Sequence, residues 1–264
     1  MAVESTRIFG AQAVRRSLHV VRIVARLQRR GANLTEVARE TQLNTSTAFR
    51  LLRCLCEERM LAYDPASRCY TVGPLAYELG LATPARFRLA ERWSPALGRI
   101  ASATGGTAYL MVRSDFDAVC VDEVQGSTPV RAIPFEIGER LPLGLGSASL
   151  AILASLDDEE IETILKSNRE VLRLYGKTAT EKNIRLGVEQ ARANGHGYTV
   201  GTYGYNVASG VPGIVGLGFL ADRGTTLVAV SISLISTGLS DVEQKKLVRI
   251  MRREIEAQPV AQPA

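Results

Sequence analysis

The chain has 264 residues, of which 46% are hydrophobic and 22% are charged, and its formal net charge is +5. This composition is close to the globular average, which excludes a wholly disordered chain, and the length predicts one large domain or two smaller ones. No run approaches the roughly 18 apolar residues of a membrane helix, and the first residues lack the pattern of a signal peptide. We therefore expect a cytoplasmic protein without a membrane partner.

The positive charge is concentrated in the first third of the chain. Residues 1–82 contain 12 arginines, no lysine and 7 acidic residues, a net charge of +5, whereas residues 83–264 contain 20 basic and 20 acidic residues. Such asymmetry is typical of a segment that meets a polyanion, and a guanidinium group can bind guanine or phosphate through two hydrogen bonds. Charge alone leaves nucleic-acid binding and mere solubility both open.

Three helices are predicted in this basic segment. Apolar spacing indicates a first helix over 14–30 that ends at Gly31, followed by a short second helix with Thr35 as its N-cap. A tight turn over 41–44 leads to a third helix over 45–59. Two short helices separated by such a turn are typical of a helix-turn-helix, although an ordinary helical hairpin has the same pattern.

The third helix carries small polar side chains and arginines on the face opposite its apolar stripe. Residues near the N-terminus of a recognition helix reach base edges in the major groove, and hydroxyls and guanidinium groups can bond to bases or phosphates there. The candidate DNA contacts on this helix are Thr45, Ser46, Thr47, Arg50 and Arg53.

A β-hairpin is predicted directly after the third helix. Residues 60–63 and 68–72 have the composition of short strands, and the segment Asp64-Pro-Ala-Ser between them is typical of a β-turn. A hairpin at this position is the layout of a winged helix-turn-helix, whose wing tip contacts the sugar-phosphate backbone. Arg68 has the charge for that contact.

The remaining elements predict an α+β fold with an antiparallel sheet, because strands and helices cluster without βαβ alternation. Trp93, the only tryptophan, is expected to be half-buried near the joint between domains. The predicted helices are 75–82, one starting at Thr83-Pro84, 95–103 with Ser94-Pro95 at its start, 147–156, 157–166, 180–194 and 240–257. The predicted strands are 107–113, 119–123, 130–135, 212–220 and 225–234, with 139–143 as a loop.

No motif for catalysis or metal binding is found. The four cysteines lack C-x-x-C spacing, and two histidines are too few for a zinc site of usual spacing. The dinucleotide, P-loop and nucleophile-elbow patterns are absent, His196 follows a helix exit, and Cys120 lies within a strand. We expect no catalytic residue, no metal and no cofactor.

The segment from Leu34 to Leu55, together with Tyr70-Thr-Val-Gly, resembles the DNA-binding domain of the IclR family of bacterial transcription regulators. Ser46-Thr-Ala-Phe-Arg-Leu-Leu is close to the recognition-helix pattern of that family, with Phe49 where histidine is usual. The resemblance implies a helical linker that joins two domains and helps to form a dimer. The implied divisions are a winged helix-turn-helix domain over 10–73, a linker over 74–93, a GAF-like effector-binding domain over 94–257 and a flexible tail over 258–264.

A second set of segments resembles the effector-binding domain of the same family: Arg140-Leu-Pro-Leu, Gly146-Ser-Ala-Ser-Leu-Ala, Gly197-Tyr and Ala229-Val-Ser-Ile-Ser. The resemblance implies a pocket on the sheet, and N–H groups at a helix start can bind a carboxylate. The implied effector-binding residues are Tyr109, Met111, Leu141, Ser147, Ala148, Ser149, Gly213, Ser231 and Ser233.

Two departures from the family pattern bear on the effector. Gly213 stands where the family often has cysteine, and Tyr203 and Tyr205 stand where an acidic pair is common. The loss of charge and the gain of aromatic rings favour a larger or aromatic effector, such as an aromatic acid or amide, over a small keto acid.

These observations predict an IclR-type transcriptional regulator, with repression favoured over activation. Its partners would be double-stranded operator DNA, a small-molecule effector, and further copies of the chain in a homodimer or a dimer of dimers. Two alternatives remain at this point. One is a DNA-binding architectural protein whose C-terminal domain only oligomerises, and the other is an enzyme that acts on the pocket ligand.

Overall fold

A computed structural model describes residues 11–27, 30–83, 89–128, 136–176, 179–201, 213–224, 226–236 and 239–258. The chain forms two compact units, residues 1–87 and residues 88–264. Within the described ranges, no helix combines the length and the apolar composition that a membrane crossing requires.

The first unit has the helices and the hairpin that the sequence predicts. Its described elements, in chain order, are α1 (Gln12–Arg26), α2 (Leu34–Thr41), α3 (Thr45–Glu57), β1 (Leu61–Asp64), β2 (Cys69–Val72) and α4 (Pro74–Leu81). The strands β1 and β2 pair in antiparallel register, with Tyr63 opposite Tyr70. The helix-turn-helix with a following wing is therefore confirmed as the architecture of this unit.

Asparagine side chains fix the starts of α2 and α3. Asn33 accepts a hydrogen bond from the Glu36 backbone N–H at 3.0 Å, and the Glu36 carboxylate accepts one from the Asn33 N–H at 3.1 Å. The prediction of Thr35 as the N-cap was wrong, because Asn33 and Glu36 together form a complete capping box two residues earlier. Asn44 caps α3 in the same way through the Thr47 N–H at 2.8 Å.

The core of the first unit lies between α1, α2, α3 and the wing. Helix α1 buries Val20, Ile23 and Val24, whereas Val14 and Leu18 of the predicted apolar pattern are 61% and 50% exposed. The buried stripe of α1 therefore lies toward its C-terminal half, and its first two turns leave apolar side chains in solvent. The other buried residues of this core are Ala32, Val37, Leu52, Leu61 and Tyr70.

The second unit contains an antiparallel sheet with helices on both faces. Its helices are α5 (Leu89–Thr104), α6 (Ser147–Ala154), α7 (Asp158–Leu172), α8 (Glu181–Asn194) and α9 (Asp241–Glu256). Its strands are β3 (Thr107–Ser114), β4 (Asp117–Val124), β5 (Arg140–Pro142), β6 (Gly197–Val200), β7 (Ile214–Arg223) and β8 (Leu227–Ile235). The strand order is β5-β4-β3-β8-β7-β6, with every described pair antiparallel. The predicted α+β class is confirmed.

Each face of the sheet carries its own hydrophobic core. We call the face that packs against α6, α7 and α8 the inner face, and the face that packs against α5 and α9 the outer face. Strand β8 shows the alternation that separates them, because Val230 and Ile232 belong to the outer core while Ser231 and Ser233 point to the other side.

Three details around α5 and β5 differ from the sequence predictions. Helix α5 continues through Pro95, whose ring is exposed, and the Ser94 hydroxyl bonds to Asp122 instead of capping a new helix. Trp93 is only 1% exposed, in the outer core, rather than half-buried. The segment predicted as a loop contains β5, which is held against β4 by Arg140 through Asp117 at 3.3 Å.

Other elements also differ from the sequence predictions. Helix α7 runs on to Leu172, beyond the predicted end at 166, because Asn168 and Leu172 continue its buried stripe. Strand β6 was not predicted, since it has only four residues and begins with glycine. The predicted strand 130–135, the helix start at Pro84, and Tyr203 and Tyr205 lie outside the described residues.

Candidate DNA-reading face and effector cavity

The predicted recognition helix, α3, presents a polar face to solvent. Ser46, Arg50 and Arg53 are exposed and follow one another at the i, i+4 and i+7 positions, so they share one side of the helix. Thr45 is also exposed, and Thr47 is half-buried beside them. Helix α3 turns Ala48 and Leu52 into the core, which fixes the orientation of the opposite face.

Local hydrogen bonds determine which donors and acceptors this face can present to a base. The Ser46 hydroxyl donates to the Asn44 side chain at 3.0 Å, so its free lone pairs make it an acceptor. The Arg53 guanidinium bonds to Glu57, one turn further on, at 3.1 Å. Arg50 forms no ion pair with any residue that the structure describes, which leaves its full set of donors for a ligand.

The wing tip is held in shape by Asp64. Its carboxylate accepts hydrogen bonds from the Ser67 hydroxyl at 2.6 Å and from the backbone N–H groups of Ala66 and Ser67, and these bonds lower its pKa. Arg68 follows in a left-handed conformation, with φ of +55°, and its side chain is exposed. The turn therefore projects a cation at the end of the hairpin.

An aromatic groove of about 430 Å³ lies between the wing, α3 and the start of α2. Phe49, Tyr63, Tyr70 and Arg68 line it, and the rings of Tyr63 and Tyr70 are 4.8 Å apart. Phe49 is 46% exposed and Tyr63 is 47% exposed. The sequence prediction missed Tyr63, although an aromatic residue opposite Tyr70 in a two-stranded wing is a usable signal.

The second unit has a cavity between the inner face of the sheet and the start of α6. Seven of the nine predicted effector residues line it: Met111, Leu141, Ser147, Ala148, Ser149, Ser231 and Ser233. Five more lining residues were not predicted: Leu145, Gly146, Thr199, Ile214 and Gly216. Tyr109 is packed in the inner core and Gly213 precedes β7, so neither of these predicted residues lines the cavity.

Glycines bring the start of α6 directly onto the sheet. A Cβ atom on Gly218 would lie 2.3 Å from the carbonyl carbon of Ser147, and one on Gly197 would lie 2.2 Å from the Ser147 carbonyl oxygen. A Cβ atom on Gly216 would lie 2.6 Å from the Thr199 hydroxyl oxygen. Only residues without a side chain permit this close approach, and the alternation Gly216-x-Gly218 was a signal for it in the sequence.

The polar groups of the cavity come from the backbone and from hydroxyls. The N-cap of α6 is Gly146, with φ of +78°, which has no side chain to accept from the N–H groups of the first turn. Ser149 is already engaged, because its hydroxyl accepts from the Gly144 N–H at 2.9 Å and donates to the Pro142 carbonyl at 3.2 Å. Ser149 therefore fixes the loop before α6, while Ser147, Ser231 and Ser233 remain to face a ligand.

The cavity is narrow and uncharged. Its volume is about 30 Å³, which is far below the several hundred Å³ typical of sites for drug-sized ligands, and none of the lining side chains that the structure describes carries a charge. An organic ligand must therefore displace lining groups on entry. A carboxylate would be neutralised by the helix start and hydroxyls instead of a cation.

Cys120 and His196, the two side chains weighed for chemistry in the sequence, do not line the cavity. Burial, followed by the charge of Glu123, raises the pKa of the Cys120 thiol to about 12. His196 lies on the outer face, where its ring stacks on Phe219. No cluster of three or more metal-ligating side chains occurs in the described part of the chain.

Comparisons with known proteins match both units. Residues 13–65 match the IclR helix-turn-helix domain, and residues 82–257 match the model described as the C-terminal domain of the bacterial transcriptional regulator IclR. The chain belongs to the IclR family of bacterial transcriptional regulators. Its first unit is thus the DNA-binding part of an IclR-family regulator.

Relatives and solved structures agree with this family. The HTH-type transcriptional repressor AllR of Salmonella paratyphi A is 27% identical over 263 residues, covering 96% of this chain and 91% of that protein. An IclR family regulator from Brucella abortus has the same fold, with a TM-score of 0.72 at 21% identity over 94% of this chain and 92% of that one. An IclR homologue from Microbacterium hydrocarbonoxydans, solved in complex with 4-hydroxybenzoate, has a TM-score of 0.62 at 18% identity over 92% of this chain and 96% of that one.

Proposed function

We propose that this IclR-family regulator is a repressor whose affinity for operator DNA is controlled by an organic acid bound in the inner-face cavity. The observation that carries the proposal is the uncharged cavity at the uncapped start of α6, with hydroxyls on the facing strand. The repressor AllR, with which the chain aligns over nearly its whole length, supports repression. The same cavity favours a regulator that responds to a ligand over an architectural DNA-binding protein whose second unit only oligomerises.

The cavity chemistry favours an aromatic acid or amide as the effector. First-turn N–H groups of α6 and the hydroxyls of Ser231 and Ser233 are suited to a carboxylate or an amide. Met111, Leu141 and Leu145 supply apolar walls for a ring. The homologue solved with 4-hydroxybenzoate supports the same ligand class at the level of the fold.

The DNA contacts are proposed to divide between bases and backbone. Arg50 and Ser46 would reach base edges, helped by Thr45, Thr47 and Arg53, because they share the exposed face of α3. Arg68 would contact a phosphate from the wing tip, since it stands at the end of the hairpin. Phosphate contacts position a protein on DNA, whereas base contacts select the sequence.

The regulator is proposed to act as a homodimer or as a dimer of dimers. Val14 and Leu18 of α1 and Tyr77 and Leu79 of α4 are all at least half exposed, which supports a covering partner. The proposed linker over 74–93 begins with α4 and includes the point where the two compact units divide. The effector can change operator affinity only if it binds the DNA-competent and DNA-incompetent arrangements with different affinities.

Calorimetry with small acids tests the proposal. We expect 4-hydroxybenzoate or benzamide to bind with saturation, and glyoxylate and pyruvate to bind more weakly. Ser231→Ala should weaken the binding about ten-fold, because a hydroxyl donor to a charged group contributes about 1.5–3 kcal/mol. Ser155→Ala is the matched control, since that hydroxyl bonds to the Ile152 carbonyl at the far end of α6.

Two results would contradict the proposal. Tight binding of glyoxylate or pyruvate with no response to aromatic acids would remove the proposed effector class. Chemical conversion of a bound ligand during long incubation would support the enzyme alternative instead.

A further inference from the structure

A second concave surface lies on the outer face of the sheet, between α9 and the corner where α8 passes into β6. We call this surface the α9 groove, and its volume is about 710 Å³. Lys245, Arg249 and Arg252 project into it from α9, and His196 lies at its base. Gly197 and Gly218, which adjoin His196 and Phe219 in the sequence, instead contact α6 on the inner face. The groove and the effector cavity therefore lie on opposite faces of β6 and β7.

The cations of the α9 groove form a stripe along one side of the helix. Lys245, Arg249 and Arg252 stand at the i, i+4 and i+7 positions, which spreads them over about 10 Å at a rise of 1.5 Å per residue. Lys245 and Arg249 form no ion pair with any residue in the described ranges. Lys245 and Arg249 are like charges one turn apart and repel each other, while Asp241 and Glu256 stand one turn beyond the two ends of the stripe.

The base of the groove combines an aromatic stack with several polar contacts. The His196 ring is 8% exposed, is stacked 5.3 Å from Phe219, and hydrogen-bonds through Nδ1 to the Asn194 carbonyl at 3.0 Å. Gln244 contacts the other ring nitrogen at 3.2 Å. The Arg252 guanidinium is held over the Phe219 ring at 5.9 Å and donates to the Asn194 carbonyl at 3.3 Å.

The side chains that line the groove carry more positive than negative charge, which favours an anionic ligand. Asp241 and Glu256 also line it, but the three cations of the stripe outnumber them. Arg253 lines the groove as well, with its charge matched by Glu254 at 2.7 Å. A guanidinium group recognises carboxylate and phosphate oxygens through paired N–H donors. The stripe spans about 10 Å along the helix axis, a length that suits a ligand with more than one anionic group.

We propose that the α9 groove binds a small organic polyanion, with two or more carboxylate or phosphate groups, as a second ligand of this regulator. Its anionic groups contact Lys245 and Arg249, and the fixed Arg252 orients one end. This site does not depend on which effector occupies the inner-face cavity.

Isothermal titration calorimetry of the full chain at constant ionic strength tests the proposal. Citrate and pyrophosphate are the polycarboxylate and polyphosphate probes, and acetate is the monoanion control. We expect one saturable site per chain for at least one polyanion and none for acetate. The double variant K245Q/R249Q should weaken that binding at least ten-fold. Lys246→Gln is the matched control, because Lys246 is an exposed cation of α9 outside the groove, and it should change the affinity less than two-fold.

A substitution in the inner-face cavity shows which of the two sites binds the polyanion. Ser231→Ala should leave polyanion binding unchanged, because Ser231 lines only the inner-face cavity. A loss of polyanion binding in that variant would place the anion in the cavity and overturn the proposal. The proposal also fails if no polyanion binds with saturation, or if K246Q weakens binding as much as K245Q/R249Q. A change in oligomeric state in K245Q/R249Q without any polyanion binding would show that the groove is a subunit contact instead.

Discussion

Arg50 and Arg68 carry the same charge, yet their positions predict different effects on DNA recognition. Arg50 lies on the exposed face of α3 and Arg68 ends the wing turn. Arg50→Ala should reduce both affinity and discrimination, by about 1–3 kcal/mol at one base position. Arg68→Ala should weaken all duplexes alike and lower the salt dependence by about one phosphate contact. Fluorescence anisotropy on specific and scrambled duplexes separates the two effects. Unchanged binding by Arg50→Ala would show that the reading face is elsewhere.

Phe49 predicts a specific kind of base contact. The side chain is 46% exposed beside the reading face of α3, where an aromatic ring has no donor but can contact a thymine methyl group. Replacing the contacted thymine with uracil should weaken wild-type binding about four-fold, because one buried methyl group contributes about 0.8 kcal/mol. Phe49→Ala should bind both duplexes equally. If the uracil duplex still binds more weakly than the thymine duplex to Phe49→Ala, another residue makes the methyl contact.

Single residues also show how closely the sequence located the cavity. The serines at the start of α6 and on β8 were placed at the cavity from a family resemblance and from strand alternation, and both sets line it. Tyr109 shares a face with Met111 but packs in the inner core, because alternation does not distinguish a cavity wall from the packed core beside it. Thr35 was predicted as the N-cap, although Asn33-x-x-Glu36 has the pattern of a capping box.

At the scale of elements, the contact between α6 and β7 depends on glycine. The Cβ atom of Gly218→Ala would lie 2.3–2.4 Å from backbone atoms of Ser147 and Ala148, which cannot move without shifting α6. We expect a loss of about 1–3 kcal/mol in the free energy of unfolding of the second unit. Trp93 fluorescence during urea unfolding reports on that unit, because it is the only tryptophan and is buried in the outer core.

Gly98→Ala is the control for that substitution. A Cβ atom on Gly98 in α5 meets no atom within 4 Å, so alanine should instead stabilise the helix by about 0.5–1 kcal/mol. Equal stability of the Gly218→Ala variant and the wild type would show that the backbone of α6 does not approach β7 this closely.

The corner between α8 and β6 predicts a pH dependence of stability. Burial lowers the pKa of His196 from its ordinary value of 6.5, and the charge of Arg252 acts in the same direction. Below pH 6.5 the unfolded chain takes up a proton that the folded chain resists, so the free energy of unfolding falls as the pH falls. Between pH 7.5 and 5.5, the wild type should lose up to about 1 kcal/mol more than His196→Gln in urea unfolding. An equal loss in both proteins would contradict neutral burial of this ring.

Elements also show the limit of sequence patterns. Strands β5 and β6 have three and four residues, too few for a period to be read, and their pairing with β4 and β7 is a tertiary property. Ser94-Pro95 has the pattern of a helix start, but the partner of Ser94 is Asp122, which is far away in the sequence. Long amphipathic helices such as α8, with Thr180 as N-cap and Gly195 as its end, were predicted closely.

In the molecule as a whole, the excess of positive charge lies in the part of the chain that contains the helix-turn-helix. The basic first third contains the helix-turn-helix and the wing, and the balanced remainder contains the inner-face cavity that we propose as the effector site. Charge, helix spacing and the wing together indicated a DNA-binding regulator from the sequence. The size of the cavity could not be predicted, because it depends on the few ångströms between α6 and the sheet.

The central claim is that the basic unit reads a specific DNA sequence. Fluorescence anisotropy of the full chain on DNA from upstream of its own gene, against a scrambled duplex in a salt series, tests it most directly. We predict tighter binding to the upstream DNA, with both affinities falling as salt rises, because phosphate contacts release counterions. Equal binding to both duplexes at every salt concentration, or no binding at low salt, would contradict the claim.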